Sequence, residues 1–135
     1  MGRIILNIEK KLSKNTMIVS ETDTKGNITY ANNDFCKIAG FTKDELIGQP
    51  HNILRHSDMP KSAFKELWGH VQNGKTWNGI VKNRCKNDDY YWVNATVYPV
   101  QKAEGKRYIS VRVKPTQDEV QNAIKLYKKL KQEEK

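Results

Sequence analysis

The stretch Gly48-Gln49-Pro50-His51-Asn52-Ile53-Leu54-Arg55-His56-Ser57-Asp58-Met59-Pro60 decides how this chain is interpreted. It places an arginine, a histidine and an acid just before a predicted helix, with proline near the first helical position. That helix carries Phe64, Leu67 and Trp68 on one face, at the spacing of an amphipathic helix. Cationic groups and aromatic rings that converge in this way suit a large planar ligand with a phosphate tail.

Composition indicates one small domain. The chain has 135 residues, a net charge of +9 and two cysteines, Cys36 and Cys85. No apolar stretch approaches the roughly 20 residues needed to span a bilayer, and the cysteine spacing favours a reducing cytoplasm. Positive charge is spread along the chain without a nucleic-acid-binding motif, so we expect no nucleic-acid partner. A solvated surface and a partner-docking or membrane-proximal surface remain the two explanations of the charge.

The order of predicted elements gives an α+β class. Apolar spacing predicts an N-terminal cap helix within residues 1–15. Strands follow at 16–22 and 28–32, then several small helices, then long strands at 76–87, 90–100 and 107–114. We expect a five-stranded antiparallel sheet with small helices on one face, occupying residues 16–116. Residues 117–135 then form a terminal helix that docks on a partner, dimerises, or packs on its own sheet.

Alternation along residues 77–86 separates two faces of a strand. Trp77, Gly79, Val81, Asn83 and Cys85 point one way, and a strongly cationic set points the other, toward water or a partner. Asn83 is therefore predicted to be buried, where an unpaired carboxamide costs about 1–3 kcal/mol. Either a loop backbone satisfies it, or a ligand with an N–H beside a carbonyl oxygen does. Gly79 leaves space for a bound ring, or else marks a bulge.

The other candidate residues also have two interpretations each. Trp68 is a stacking partner for a ring system or an ordinary core residue. Arg55 and His56 bind a pyrophosphate at a helix N-terminus, or belong to an exposed loop. Asp58 is better suited to cap the following helix than to contact a ligand.

These motifs resemble those of a PAS domain, and within that family the flavin-binding PAS domain of bacterial aerotaxis receptors. The resemblance covers about residues 22–115 and rests on the motifs Ile28-Thr29-Tyr30-Ala31-Asn32, Gly48-Gln49-Pro50-His51-Asn52, Arg55-His56-Ser57-Asp58-Met59-Pro60, Trp77-Asn78-Gly79 and Val81-Lys82-Asn83-Arg84. It implies a PAS fold that binds FAD non-covalently as a redox sensor for energy taxis. It also implies a cofactor site formed by Asn32, Arg55, His56, Asp58, Trp68 and Asn83.

Two positions depart from the family pattern. Asp88 stands where a turn glycine is usual, and Cys85 where an arginine is common. In the light-sensing relatives a reactive cysteine stands near the position of His51, so we expect no cysteinyl photoadduct.

The resemblance further implies a partner: a membrane-bound chemotaxis transducer or its HAMP region. We expect a cytoplasmic location, at the inner face of the membrane through that partner. The initial methionine and polar tail favour a stand-alone sensor over an excised domain. A haem-binding PAS domain, with His51, His56 or His70 as axial ligand, and a ligand-free interaction module are the alternatives. We expect no enzyme, because adjacent His56, Ser57 and Asp58 side chains diverge and cannot form a triad.

Overall fold

A five-stranded antiparallel sheet forms the centre of the protein. The computed structural model describes residues 8–134. The strands are β1 (Ile18–Thr22), β2 (Ile28–Ala31), β3 (Trp77–Arg84), β4 (Tyr90–Lys102) and β5 (Gly105–Val113), in the spatial order β2-β1-β5-β4-β3. The predicted α+β class and antiparallel sheet are therefore confirmed.

Short helices cover one side of this sheet, which we call the inner face. They are α1 (Asn33–Ala39), α2 (Lys43–Leu46), a 3₁₀ turn at His51–Leu54, and α3 (Lys61–Gln72). Local residues determine two of these boundaries. Gly40 ends α1 in the left-handed conformation, at a φ of 78°, and Thr42 with Glu45 forms a capping box that starts α2.

Side chains of β3 alternate between the two faces as predicted. Trp77, Val81, Asn83 and Cys85 are buried on the inner face. The interpretation of Gly79 as space for a ligand ring is wrong, because the indole of Trp77 lies over it and a Cβ atom there would collide with that ring. The glycine therefore accommodates a neighbouring side chain, whose Nε1 donates to Glu66 at 3.2 Å.

The turn between β3 and β4 contains the aspartate that replaces the usual glycine. Asp88 has a φ of 71° and is the one non-glycine residue with positive φ among residues 8–134. Aspartate is among the residues that tolerate this conformation, and the Asp88 amide donates to the Cys85 carbonyl at 3.0 Å. The hairpin therefore forms without glycine.

The predicted N-terminal helix is wrong for the described part of residues 1–15, and residues 1–7 lie outside the described residues. The segment from Ile8 to Lys10 instead runs beside β4. The Tyr90 amide donates to the Ile8 carbonyl at 3.1 Å, and the Lys10 amide donates to the Tyr90 carbonyl at 2.7 Å. Leu12 is buried but Ile8 is exposed, so the apolar spacing did not mark a helix face. Main-chain pairing with a distant strand replaced local helix formation.

The terminal helix α4 (Gln117–Glu133) packs on the outer face of its own sheet. Its buried residues are Ala123 and Tyr127, and the Tyr127 hydroxyl donates to the Ile80 carbonyl of β3. Lys82, on the predicted cationic face, keeps 14% of its side chain exposed and pairs with Asp58 at 2.7 Å. The chain itself therefore covers that face at Ile80 and Lys82, whereas Arg84 and Lys86 keep 41% and 54% of their side chains exposed. The boundary of the core at residues 16–116 stays a prediction.

No helix within residues 8–134 is long and apolar enough to cross a membrane.

The packing of Trp77 over Gly79 makes a testable prediction. Gly79→Ala should destabilise the domain by about 1–3 kcal/mol, because the added methyl group forces the indole out of place. Gly69→Ala is the matched control: this exposed glycine of α3 has no atom within 4 Å of an added Cβ, so a gain of about 0.5–1 kcal/mol is expected. Urea unfolding measures both, and equal effects would contradict the packing argument.

Candidate functional site

A cavity of about 370 Å³ lies between the inner face of the sheet and α3. We call it the inner cavity; its apolar walls include Leu67, Val81, Ala95 and Val97. Ligand pockets typically measure about 300–1,000 Å³, so this space can hold a ring system. The 3₁₀ turn and the turn before β2 also line it, through His51 and Gly26.

Asn83 places a carboxamide in the wall of the inner cavity. The residue is 4% exposed, and its main chain forms a β-bridge with Arg55. Tyr91 lies directly opposite on β4, and its hydroxyl group sits beside the carboxamide. That hydroxyl has no hydrogen bond of normal geometry to any described residue. Burial raises the pKa of Tyr91 to about 12, so the group remains a neutral donor.

Arg112 supplies a buried positive charge at the floor of the cavity. It is 2% exposed, and its Nη2 donates to Ser20 Oγ at 2.6 Å while its Nη1 donates to His51 Nε2 at 3.1 Å. The guanidinium also lies 4.6 Å from the centre of the Phe35 ring. Burial lowers its pKa to about 10, which leaves it charged at neutral pH. Its Nε has no partner among the described residues.

His51 accepts the hydrogen bond from the charged Arg112 guanidinium and is itself a neutral ring. Burial, followed by the nearby Arg112 guanidinium, lowers its pKa to about 3. Because Nε2 accepts the hydrogen bond from Arg112, the ring proton belongs on Nδ1. His51 is therefore part of a hydrogen-bonded floor beneath the cavity, together with Arg112 and Ser20.

Trp68 and Arg55 lie toward the opening of the inner cavity. The Trp68 ring meets Tyr108 edge-on, with centroids 5.5 Å apart, and both residues line the cavity. The Arg55 guanidinium lies 3.8 Å from the centre of the Phe64 ring and forms no ion pair with a described residue. Trp68 is therefore both a core residue and part of the cavity wall. The Arg55 guanidinium provides a positive charge at the opening that no described acid neutralises.

A second, wider depression adjoins this opening, and we call it the side cleft. Asn52 and Arg55 line both spaces, and the side cleft continues over His56, Asp58 and Lys82 to the end of α4. The Asp58 amide donates to His56 Nδ1 at 3.0 Å. The hydrogen bond from Lys82 is the largest cause that lowers the pKa of the Asp58 carboxyl.

The prediction that Asp58 caps α3 is wrong. Pro60 occupies the N-cap position without a side-chain bond, since Lys82 on β3 holds the Asp58 carboxylate instead. The N-terminus of α3, which was expected to be available to a ligand beside Arg55, is not available either. Glu134 accepts from the amides of Lys61 and Ser62 at 3.1 and 3.0 Å and already occupies that terminus.

Asn32 lies outside both spaces. Its Oδ1 accepts from the amides of Phe35 and Val19, each at 3.1 Å, and its Nδ2 donates to the Met17 carbonyl at 2.8 Å. It thereby fixes the start of α1 against β1 and, through Phe35, the surroundings of Arg112. Of the six predicted site residues, Arg55, Trp68 and Asn83 line the inner cavity, and His56 and Asp58 line the side cleft.

Other reactive side chains are placed apart from this cavity. His70 points its Nδ1 at the Glu66 carbonyl, and neither cysteine lines the inner cavity. Cys85 is buried, donates to the Ile38 carbonyl at 3.2 Å and has its pKa raised by burial to about 11. Within residues 8–134 there is no group of three or more histidine, cysteine or acidic residues that could hold a metal ion.

Sequence reasoning missed the polar floor formed by Arg112 with Ser20, and the Tyr91 hydroxyl beside Asn83. It considered His51 as a haem ligand and as the position of the reactive cysteine in light-sensing relatives, but not as an acceptor for Arg112. One signal was present: Tyr108, Ser110 and Arg112 alternate along β5 and line the inner cavity together. A charged residue at an inward strand position indicates a buried polar site.

The fold and this cavity define a PAS domain, and the chain belongs to that family: the family described as PAS fold matches residues 28–113. The aerotaxis receptor of Escherichia coli (strain K12) is 46% identical over 121 residues, which are 88% of this chain and 24% of the receptor. The nitrogen fixation regulatory protein of Klebsiella pneumoniae is 30% identical over 91 residues, 67% of this chain and 18% of that protein. The chain thus spans about a quarter or less of these relatives.

Solved structures share the fold. The PAS domain of a Colwellia psychrerythraea protein gives a TM-score of 0.67 at 21% identity, covering 75% of this chain and 87% of that one. The light-state Aureochrome1 LOV photoreceptor gives 0.65 at 17% identity, covering 85% and 89%. The resemblance inferred from the motifs is confirmed.

The neutral His51 makes the stability of the domain depend on pH. Its pKa is about 3 when folded and near the ordinary 6.5 when unfolded, so the unfolded chain binds more protons as the pH falls. The stabilisation is complete above about pH 6.5 and is lost progressively down to about pH 3. Between pH 7 and pH 5 the loss is on the order of 2 kcal/mol.

Denaturant unfolding at both pH values measures this effect. His51→Gln keeps a carbonyl acceptor for Arg112 and should reduce the fall in the free energy of unfolding between pH 7 and pH 5. His70→Gln should leave that fall unchanged. His56, whose pKa is also lowered by burial, keeps its own contribution in both variants. An undiminished loss in His51→Gln would contradict the assignment.

Proposed function

We propose that this PAS domain is a signal-sensing module that binds FAD non-covalently in the inner cavity and passes the redox state of the flavin to a chemotaxis transducer. The proposal is supported by 46% identity to a protein named aerotaxis receptor. Sensing, rather than catalysis, is the role we assign to the domain.

The observation that carries the proposal is a cluster of buried polar groups at the wall of a largely apolar cavity. Arg112 and Asn83 both line the cavity, and Arg112 Nε has no partner among the described residues. The Tyr91 hydroxyl is buried beside the Asn83 carboxamide but does not itself line the cavity. Buried polar groups without partners cost free energy, so their presence favours a polar ligand. The pyrimidine ring of a flavin has an N–H beside a carbonyl oxygen, which matches the acceptor and donor of a carboxamide.

Residues at the opening suit the phosphates of the same ligand. Arg55 lies where the inner cavity meets the side cleft, and no described acid pairs with it. Along the side cleft, Lys82 adds a positive charge that is paired with Asp58, and His56, whose pKa is lowered by burial, adds a neutral ring. A guanidinium binds phosphate oxygens in a bidentate manner, so Arg55 suits a flavin that carries phosphate. The side cleft beyond Arg55 offers space for the remainder of a dinucleotide, and we therefore propose FAD.

The flavin supplies a ring whose hydrogen-bonding edge changes with its redox state, and the protein supplies binding and orientation. The Asn83 carboxamide can exchange donor and acceptor by rotating about its side-chain bond. Such a change would act on β3, whose Ile80 carbonyl is bonded to Tyr127 of α4. A route from the inner cavity to the terminal helix therefore passes through one strand.

We propose that the partner is a membrane-bound chemotaxis transducer or its HAMP region. This partner would hold the domain at the cytoplasmic side of the membrane. A homodimer is the second assembly to test. A partner responds only where its free energy of binding differs between the two redox states, and about 1.4 kcal/mol gives a tenfold change. Equal affinity for the oxidised and reduced protein would defeat the switching mechanism.

Absorbance of the freshly purified protein tests cofactor binding, followed by release and chromatography of the chromophore. We expect flavin bands and FAD. A Soret band would establish the haem alternative, and a colourless protein would establish a ligand-free interaction module.

Asn83→Ser should weaken FAD binding about tenfold, because a buried hydrogen-bonding pair contributes about 1–2 kcal/mol. Asn78→Ser is the matched control, since Asn78 lies on the opposite face of the same strand and bonds to Asn94, Ala95 and Thr96. Titration of flavin-free protein measures both affinities. The site assignment fails if the two variants bind FAD equally, or if Arg55→Ala and Trp68→Ala also retain full occupancy.

A further inference from the structure

Glu134 joins two helix ends that are far apart in sequence. It follows α4 directly, and its carboxylate accepts from the amides of Lys61 and Ser62 at the start of α3, 73 and 72 residues away. These two amides have no other acceptor among the described side chains, because Pro60 provides no cap and Asp58 is held by Lys82. The first turn of α3 therefore depends on a residue from the opposite end of the chain.

The end of α4 is an unfavourable place for an acid that has no such partner. The C-terminal end of a helix carries partial negative charge, which disfavours a carboxylate, whereas the N-terminal end of another helix favours it. Glu133 and Glu134 are adjacent, but of the two only Glu134 accepts hydrogen bonds from α3. The backbone amides of Ser62 and Lys61 hold the pKa of the Glu134 carboxyl below its usual range.

A second bond from the same turn holds the preceding loop. Lys131 donates to the Ser57 carbonyl, while the Tyr127 hydroxyl fixes α4 to the Ile80 carbonyl of β3. The end of α4 thus holds residues 57–62 at three main-chain positions. Arg55 and His56 immediately precede this segment, and Lys131 and Glu134 themselves line the side cleft.

We propose that Glu134 is a positioning residue for the side cleft: by capping α3 from α4, it fixes the segment that aligns Arg55 and His56 with the phosphates of a dinucleotide. The inference rests on the proposed function and extends it to a residue outside the cofactor motifs. Removing the cap would loosen the phosphate-binding groups while leaving the walls of the inner cavity in place. The effect should therefore depend on whether the ligand reaches the side cleft.

Titration of the flavin-free 135-residue chain with FAD and, separately, with riboflavin tests this inference. Glu134→Ala should weaken FAD binding roughly threefold to tenfold and leave riboflavin binding unchanged, because riboflavin has no phosphate group. Glu134→Gln keeps one carbonyl acceptor and should restore part of the FAD affinity. Amide hydrogen exchange should be faster at Lys61 and Ser62 in Glu134→Ala.

Glu133→Ala is the matched control, since it removes the adjacent exposed acid from the same helix end without touching α3. It should alter neither affinity nor exchange at Lys61 and Ser62. Equal weakening of both flavins by Glu134→Ala, stronger FAD binding in both Glu134 variants, or unchanged exchange would overturn the inference. If the unaltered chain binds no FAD, the proposed function fails and this inference fails with it. If the unaltered chain binds FAD and Glu134→Ala binds it equally well, only this inference fails.

Discussion

The guanidinium of Arg112 is the constraint around which the inner layer is organised. A cation taken out of water must be hydrogen-bonded, and no described carboxylate serves it. Its acceptors come from Ser20 on β1 and His51 on the 3₁₀ turn, and Phe35 of α1 lies against its face. Three elements that are separate in sequence therefore meet at one charge on β5. The arrangement requires a neutral histidine, which burial beside that charge maintains.

Much of the fold could be predicted because it depends on neighbouring residues. The box of Thr42 and Glu45, the glycine that ends α1 and the alternation of β3 act over a few positions, and the structure has all three. Burial of Asn83 followed from the same alternation. Trp68 and Asn83 line the inner cavity for that reason, because the periods of a helix and a strand determine which side chains share a face. Arg55, the third candidate that lines the cavity, lies in the loop before α3, where no such period applies.

The features that were missed depend on contacts between distant residues. Lys82 holds Asp58 and leaves α3 without its expected cap, and Trp77 fills the space over Gly79. Tyr90 pairs with the chain at Ile8 and Lys10, so an apolar spacing suited to a helix forms none there. No local pattern specifies these partners. Strand order, which brings β1 beside β5, had to be known before Ser20 and Arg112 could be placed together.

Both edge strands of the sheet, β2 and β3, form main-chain contacts along the edge that faces away from the sheet. Ile28 of β2 exchanges hydrogen bonds with Gly48 and Gln49, while residues 55–59 follow β3 through the Arg55–Asn83 bridge. Exposed strand borders invite strand addition by other polypeptides and self-association into fibrils. This domain is protected from both over the covered positions. A protein that binds the domain at these positions must therefore contact its side chains, because it cannot add a strand to the sheet there.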